Sequence, residues 1–205
     1  LKDWPLQNNS NDRLGPHLAV QIDDGLPVRI NHLDDGKLKV NIKDIMPGTH
    51  RLSAYAAYPW GEANKGIGAS INKQFSTFKK IEGTQPAHDE AWIAIVSPSE
   101  LRNREPLLID ALIWNAPLQG LQEGDDKWRL KITIGEESFS LKRQEAIWLE
   151  GLPAGSEFVQ FQLLDQLGQP MLPVFNNQLR KIPTESFDDP IFKDPIMSNQ
   201  DIGDI

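Results

Sequence analysis

Apolar and polar residues alternate along several short stretches of this chain, with the two-residue period of a half-buried β-strand rather than the 3.6-residue period of a helix. Leu38, Val40 and Ile42 alternate with Lys39, Asn41 and Lys43; Leu130, Ile132 and Ile134 alternate with Lys131 and Thr133; Val159, Phe161 and Leu163 alternate with Gln160 and Gln162. Strands of this kind are expected to be antiparallel, with one face toward solvent. Two further runs, 91–96 and 107–114, are apolar almost throughout and read as strands as well. Between the strands stand Asp23-Asp24-Gly25, Asp34-Asp35-Gly36, Pro47-Gly48 and Gly168-Gln169-Pro170, residues that supply a positive or fixed φ at tight turns. Nothing predicts a long helix; a single short one could open at Ser97-Pro98-Ser99-Glu100 and run over 99–104.

The pattern occurs twice. Pro5-Leu6-Gln7 returns as Pro117-Leu118-Gln119, and Leu18, Val20 and Ile22 meet Leu130, Ile132 and Ile134 at the same offset of 112 residues. Trp4 faces Trp114, Met46-Pro47-Gly48-Thr49 falls on Leu152-Pro153-Ala154-Gly155-Ser156, and Leu52, Ala54 and Ala56 fall on Val159, Phe161 and Leu163. Gly61 then meets Gly168, and Phe78-Lys79-Lys80-Ile81 meets Leu179-Arg180-Lys181-Ile182. Each change of offset falls where a loop is expected, the place where insertions disturb no buried face. The second copy has the runs 91–96 and 107–114 ahead of its Pro-Leu-Gln, whereas the first begins almost at Trp4. The first copy is therefore expected to lack about 20 residues of upstream strand, supplied by a longer protein or by a strand from elsewhere.

The expected organisation is a first, incomplete β-sandwich over 1–82, a linker over 83–89, a second sandwich over 90–182 and an acidic, proline-containing tail over 183–205. Regularly spaced strands, broken by turns and carrying Leu152-Pro153-Ala154-Gly155-Ser156 before an apolar strand, resemble bacterial immunoglobulin-like or fibronectin type III-like domains. The resemblance implies an all-β fold of two tandem immunoglobulin-like antiparallel sandwiches, the first lacking its N-terminal strand or strands. It also implies a module of the kind used for adhesion, spacing or partner binding.

Composition narrows the function. A length of 205 residues suffices for two domains of roughly 100 residues each. The net charge of −8 disfavours nucleic acid and anionic membrane as partners, since both reward basic surfaces. No apolar run is long enough to cross a bilayer as a helix. With no cysteine, disulfides, thiol catalysis and cysteine-ligated zinc are excluded. The absence of cysteine does not decide the compartment; the resemblance implies an extracytoplasmic location, in a periplasm, a lumen or at a cell surface.

Catalytic signatures are missing: no Gly-x-Ser-x-Gly elbow, no phosphate-cradling glycine loop and no His-Glu-x-x-His segment occurs. His17, His32, His50 and His88 do not have the spacing of a metal pair, and a surface or capping role suits them better. Asp23, Asp24, Asp34 and Asp35 could converge as calcium ligands, although acidic residues before glycine ordinarily just make turns. The expectation is no cofactor and no catalysis. The leading surface candidate is Tyr58-Pro59-Trp60-Gly61-Glu62, whose counterpart Asp165-Gln166-Leu167-Gly168-Gln169 has no aromatics. Tyr and Trp in a loop can stack on a sugar or anchor a protein, unless Trp60 folds back over the sandwich end. Lys65 lies in the small-residue loop that follows, and Phe187, Ile191 and Phe192 could lay the tail on a surface. Trp4, Trp114, Trp128 and Trp148 are expected at the core or its edge, with Trp92 on the first strand of the second copy. Together these residues point to a non-catalytic binding or spacer module contacting a protein through loop and tail. A carbohydrate-binding accessory domain and a non-catalytic fragment of a larger enzyme are the alternatives.

Overall fold

The computed structural model describes residues 4–6, 15–30, 37, 39–42, 45–81, 90–99, 105–116, 129–141, 143–171 and 174–184. They form an all-β, sandwich-like structure of antiparallel sheets, with no α-helix among the described residues. Nor is any helix among them long and apolar enough to cross a membrane. The strands are β1 (His17–Ile22), β2 (Val28–Ile30), β3 (Gly48–Ala57), β4 (Ser70–Thr77), β5 (Trp92–Ser97), β6 (Leu107–Trp114), β7 (Arg129–Ile134), β8 (Glu137–Leu141), β9 (Ile147–Leu149), β10 (Phe158–Leu164) and β11 (Asn177–Lys181). A 3-10 turn, Val174–Asn176, precedes β11.

Three sheets result: a first of order β2-β1-β3-β4, a middle one of order β5-β6-β9 and a third of order β11-β10-β7-β8. The alternating strands face the core on one side only. In the third sheet Leu130, Ile132, Ile134, Val159, Phe161 and Leu163 pack against Ile93, Ile95, Leu107, Ile109, Ala111 and Ile113 of the middle sheet. The opposite face of the middle sheet is buried too, because Val96 and Leu112 pack with Ala19, Tyr55 and Ala57 of the first sheet. Every residue of β5 is buried, as are all of β6 except Trp114. A strand covered on both faces has no polar side to present, which is why 91–96 and 107–114 read as continuous apolar runs. The outer face of the first sheet forms a separate cluster of Leu18, Val20, Ile30, Ala56 and Ala69, flanked by Trp4, Leu6 and Val40.

Two of the strand pairs matched in sequence share a register. Leu18, Val20 and Ile22 pair with Ala56, Ala54 and Leu52, while Leu130, Ile132 and Ile134 pair with Leu163, Phe161 and Val159. Two expectations need correction. Residues 39–42 lie outside every strand; Val40 instead lends its side chain, partly buried, to the outer cluster of the first sheet. Phe78 to Ile81 are also not the partners of Leu179 to Ile182, because Leu52 pairs with Lys73 where Val159 pairs with Arg180. The true partner strand, β4, was masked by its polarity: Ser70–Thr77 has no fully buried residue and so no apolar signature. Residues 100–104 of the expected short helix, the linker 83–89, and Trp128 lie outside the described residues.

Leu112 and Phe161, 1% and 0% exposed, sit on opposite sides of the middle sheet. Leu112→Ala is expected to destabilise the chain by about 2–5 kcal/mol and Phe161→Ala by about 3–5 kcal/mol. In urea denaturation both substitutions should move one common transition, since the middle sheet belongs to both cores; two independent transitions would contradict the shared layer.

Candidate functional site

The turn after β3 closes the same way as the turn after β10, at a constant offset of 107 residues. Tyr58 N–H donates to Glu62 O and Gly61 N–H to Tyr58 O, as Asp165 N–H donates to Gln169 O and Gly168 N–H to Asp165 O. Bridges Ala57↔Ala63 and Leu164↔Pro170 follow, and then Asn64 N–H to Ala56 O and Met171 N–H to Leu163 O. Both turns need a positive φ at their glycine, +90° at Gly61 and +77° at Gly168, a conformation that glycine adopts without strain. In the second turn the Asp165 carboxylate caps the Leu167 and Gln169 amides. In the first, Tyr58 occupies that position.

The side chains added to the first turn form a row. The rings of Tyr58 and Trp60 stack with centroids 4.8 Å apart and planes 5° from parallel, and Trp4 meets Tyr58 edge-on at 5.6 Å. Trp60 Nε1 donates to Glu62 Oε2 at 2.8 Å, and Trp4 Nε1 donates to His17 O at 3.2 Å. All four side chains of Trp4, Tyr58, Trp60 and Glu62 are half-buried. Beyond them Ile67 stands fully exposed on the same loop. Sequence reasoning placed Tyr58, Trp60 and Glu62 together, and the geometry does so. It placed Trp4 at the core edge, where it packs, but not in the row; the contact spans more than fifty residues and has no local signal.

Lys65 reaches the middle sheet. Its ammonium donates to Asp110 Oδ1 at 2.5 Å and to Ala63 O at 3.0 Å, tying the loop to β6 of the middle sheet. Asp110 is completely buried and also accepts the Ala63 N–H at 2.8 Å through Oδ2. Burial pushes its carboxyl up to about 6, against the lowering influence of Lys65 and the Ala63 amide, with nearby Glu62 adding to the rise. Asp110 escaped sequence reasoning, although a lone carboxylate within the apolar run 107–114 was a signal for a buried polar contact.

Beside the apolar contacts of Val96 and Leu112, the seam between the first sheet and its neighbours also carries buried polar side chains. Arg51, 2% exposed, sets its guanidinium 4.1 Å from the Phe175 ring centroid and 5.7 Å from that of Trp92, and burial lowers it to about 10. Arg180 of β11 donates to Asp24 O, and to Gly25 O at 2.9 Å, and Gln178 donates to Ile93 O at 3.3 Å. Asp23 accepts the Arg51 N–H through Oδ1 and faces His50 Nδ1 through Oδ2 at 2.7 Å, while His50 Nε2 lies 2.7 Å from Met46 O. Both imidazole nitrogens thus face acceptors, an arrangement that suits the doubly protonated ring. Burial alone would lower the His50 pKa, but the hydrogen bonds to Asp23 and Met46 raise it above its ordinary value.

Asp23 is therefore engaged in structural bonds, while Asp34, Asp35, His32 and His88 lie outside the described residues, as do Phe187, Ile191 and Phe192. Among the described residues no three His, Cys, Asp or Glu side chains gather as metal ligands. Trp92 is buried and packs edge-on against Trp114, whereas Trp148 is 40% exposed. Compared with known proteins, the chain matches no family model, no curated protein and no solved structure.

A raised folded-state pKa makes the His50 contribution to stability fully present below about 6.5 and lost as pH rises through the folded value. Unfolding free energies measured between pH 6 and pH 8.5 should therefore fall as pH rises. His50→Gln should flatten that slope; an unchanged slope would contradict the charged ring.

Proposed function

We propose that this chain is a non-catalytic, extracytoplasmic binding or spacer module that contacts a protein partner through the aromatic turn at residues 58–62. In this reading the chain is a duplication of one immunoglobulin-like unit, the first copy lacking its leading strands, and residues 183–205 supply a second contact. The common register of the β1–β3 and β7–β10 pairs and the 107-residue offset of the two turns support the duplication. They also supply the observation that carries the function. The second turn folds with the same hydrogen bonds and no aromatic residue, so the fold does not require Tyr58 and Trp60 in the first. Large aromatic side chains on a turn closed by four backbone contacts lose little entropy on binding, which is how anchor residues yield affinity.

A protein fits better than a sugar ring. Tyr58 and Trp60 cover one face of each other and Trp4 meets the Tyr58 ring, which narrows the aromatic surface on which a sugar ring could stack. Exposed Ile67 extends the apolar surface of the same loop. Trp60→Ala should weaken partner binding by about 30-fold or more, as for a central anchor worth about 2 kcal/mol. The check is quantitative affinity purification with wild type and Trp60→Ala compared side by side, followed by titration of the protein that distinguishes them. Equal recovery on both chains, or a Trp60-dependent signal on a glycan array alone, would overturn the protein-partner reading. Fractionation of the source cells tests the location independently.

A further inference from the structure

The loop that carries the aromatic row is fastened to the middle sheet by one carboxylate. Asp110 comes from a strand of a different layer, and its two oxygens take the Lys65 ammonium and the Ala63 N–H, on either side of Asn64. Asn64 N–H in turn holds Ala56 O, so this point fixes both the end of β3 and the start of the exposed arc at Gly66 to Gly68. We propose that Asp110 is a proton-operated anchor: when its carboxyl takes up a proton, Lys65 lets go, and the 63–69 arc with the adjoining aromatic row gains freedom while the layers stay packed. The inference rests on the proposed role of that row and concerns its regulation.

The physical basis is the mismatch between the two partners. Asp110 is completely buried, whereas the Lys65 side chain is 21% exposed and can reach water without any strand moving. A neutral carboxyl loses its Coulomb attraction for the ammonium, and solvent then competes successfully for a long, flexible cation. It remains able to accept the Ala63 N–H, so the layer contact persists. The charged and titratable groups around Asp110 are Lys65 and Glu62 from the loop and Tyr55 from β3, with Arg180 of β11 acting on Tyr55. Ser97 pairs with Asp110 on β5 and places a buried hydroxyl without a hydrogen-bond partner in the same layer. With the carboxyl at about 6 instead of its ordinary 3.8, the folded chain holds this proton more tightly than the unfolded chain does. Stability contributed by Asp110 is therefore fully present below about 3.8 and lost as pH rises through about 6. Acidification thus loosens the loop without weakening the fold through this group, and the two readouts move in opposite senses.

Amide hydrogen exchange on the full chain separates them. Between pH 7.5 and pH 5, after correction for intrinsic rates, the amides of Asn64 and Ala69 should exchange about tenfold faster relative to those of Ile132 and Phe161, the ratio expected for loss of one charge-assisted contact. Asp110→Asn should show the fast loop at both pH values, and Lys65→Met, which spares the buried carboxyl, should do the same. His50→Gln is the control for the other group with a raised pKa, held by Asp23 and Met46 at the start of β3, and should leave the loop response intact. Unchanged loop protection in wild type across this range, or a wild-type pH response in Lys65→Met, would overturn the anchor. The readout contains no partner, so its failure and a failure of the partner-binding reading are distinct results.

Discussion

A sheet with apolar side chains on both faces must be covered twice, and the β5–β6 pair imposes that condition on this chain. Its inner face takes the third sheet, through Ile93, Ile95, Leu107 and Ile109. Its other face takes the first sheet, through Val96 and Leu112. Neither half can be described as an independent bead on a string, because removing either sheet would expose one side of the same two strands. The hydrophobic effect acts here on a shared surface, and the placement of the aromatic turn follows from it.

The seam between the layers is unlike the apolar core beneath it. Asp110, Arg51, Gln178 and Arg180 are all buried there, and each reaches a group on another strand or turn. Polar groups in such places contribute little net stability and a great deal of positional definition, because any displaced arrangement would leave them unsatisfied. The apolar contacts bring the first sheet onto the middle one, and the polar contacts fix where it sits. Lys65 and Ala63 extend that definition to the loop that projects the aromatics.

Much of the strand pattern was legible in the sequence, because a two-residue period reports a face, and Leu130 to Ile134 or Val159 to Leu163 keep that period without interruption. The turn at Tyr58 to Glu62 was legible by comparison with its unadorned counterpart. Three things were hidden. β4 carries no alternation strong enough to read, since an edge strand half in water needs none. Val40 kept a strand-like pattern without a ladder, because the same spacing also serves a segment that merely covers a core. The third was Asp110, whose meaning depends on Lys65 arriving from another layer, a contact that no local pattern encodes.

Arg180 hydrogen-bonds the Asp23-Asp24-Gly25 turn through the main-chain oxygens of Asp24 and Gly25, and the Asp24 charge favours its guanidinium. The hydrogen bonds of this grip read the path of the backbone rather than the letters written along it. The joint with the far strand therefore depends on the shape of the turn, which Asp23 holds through the Arg51 amide and His50.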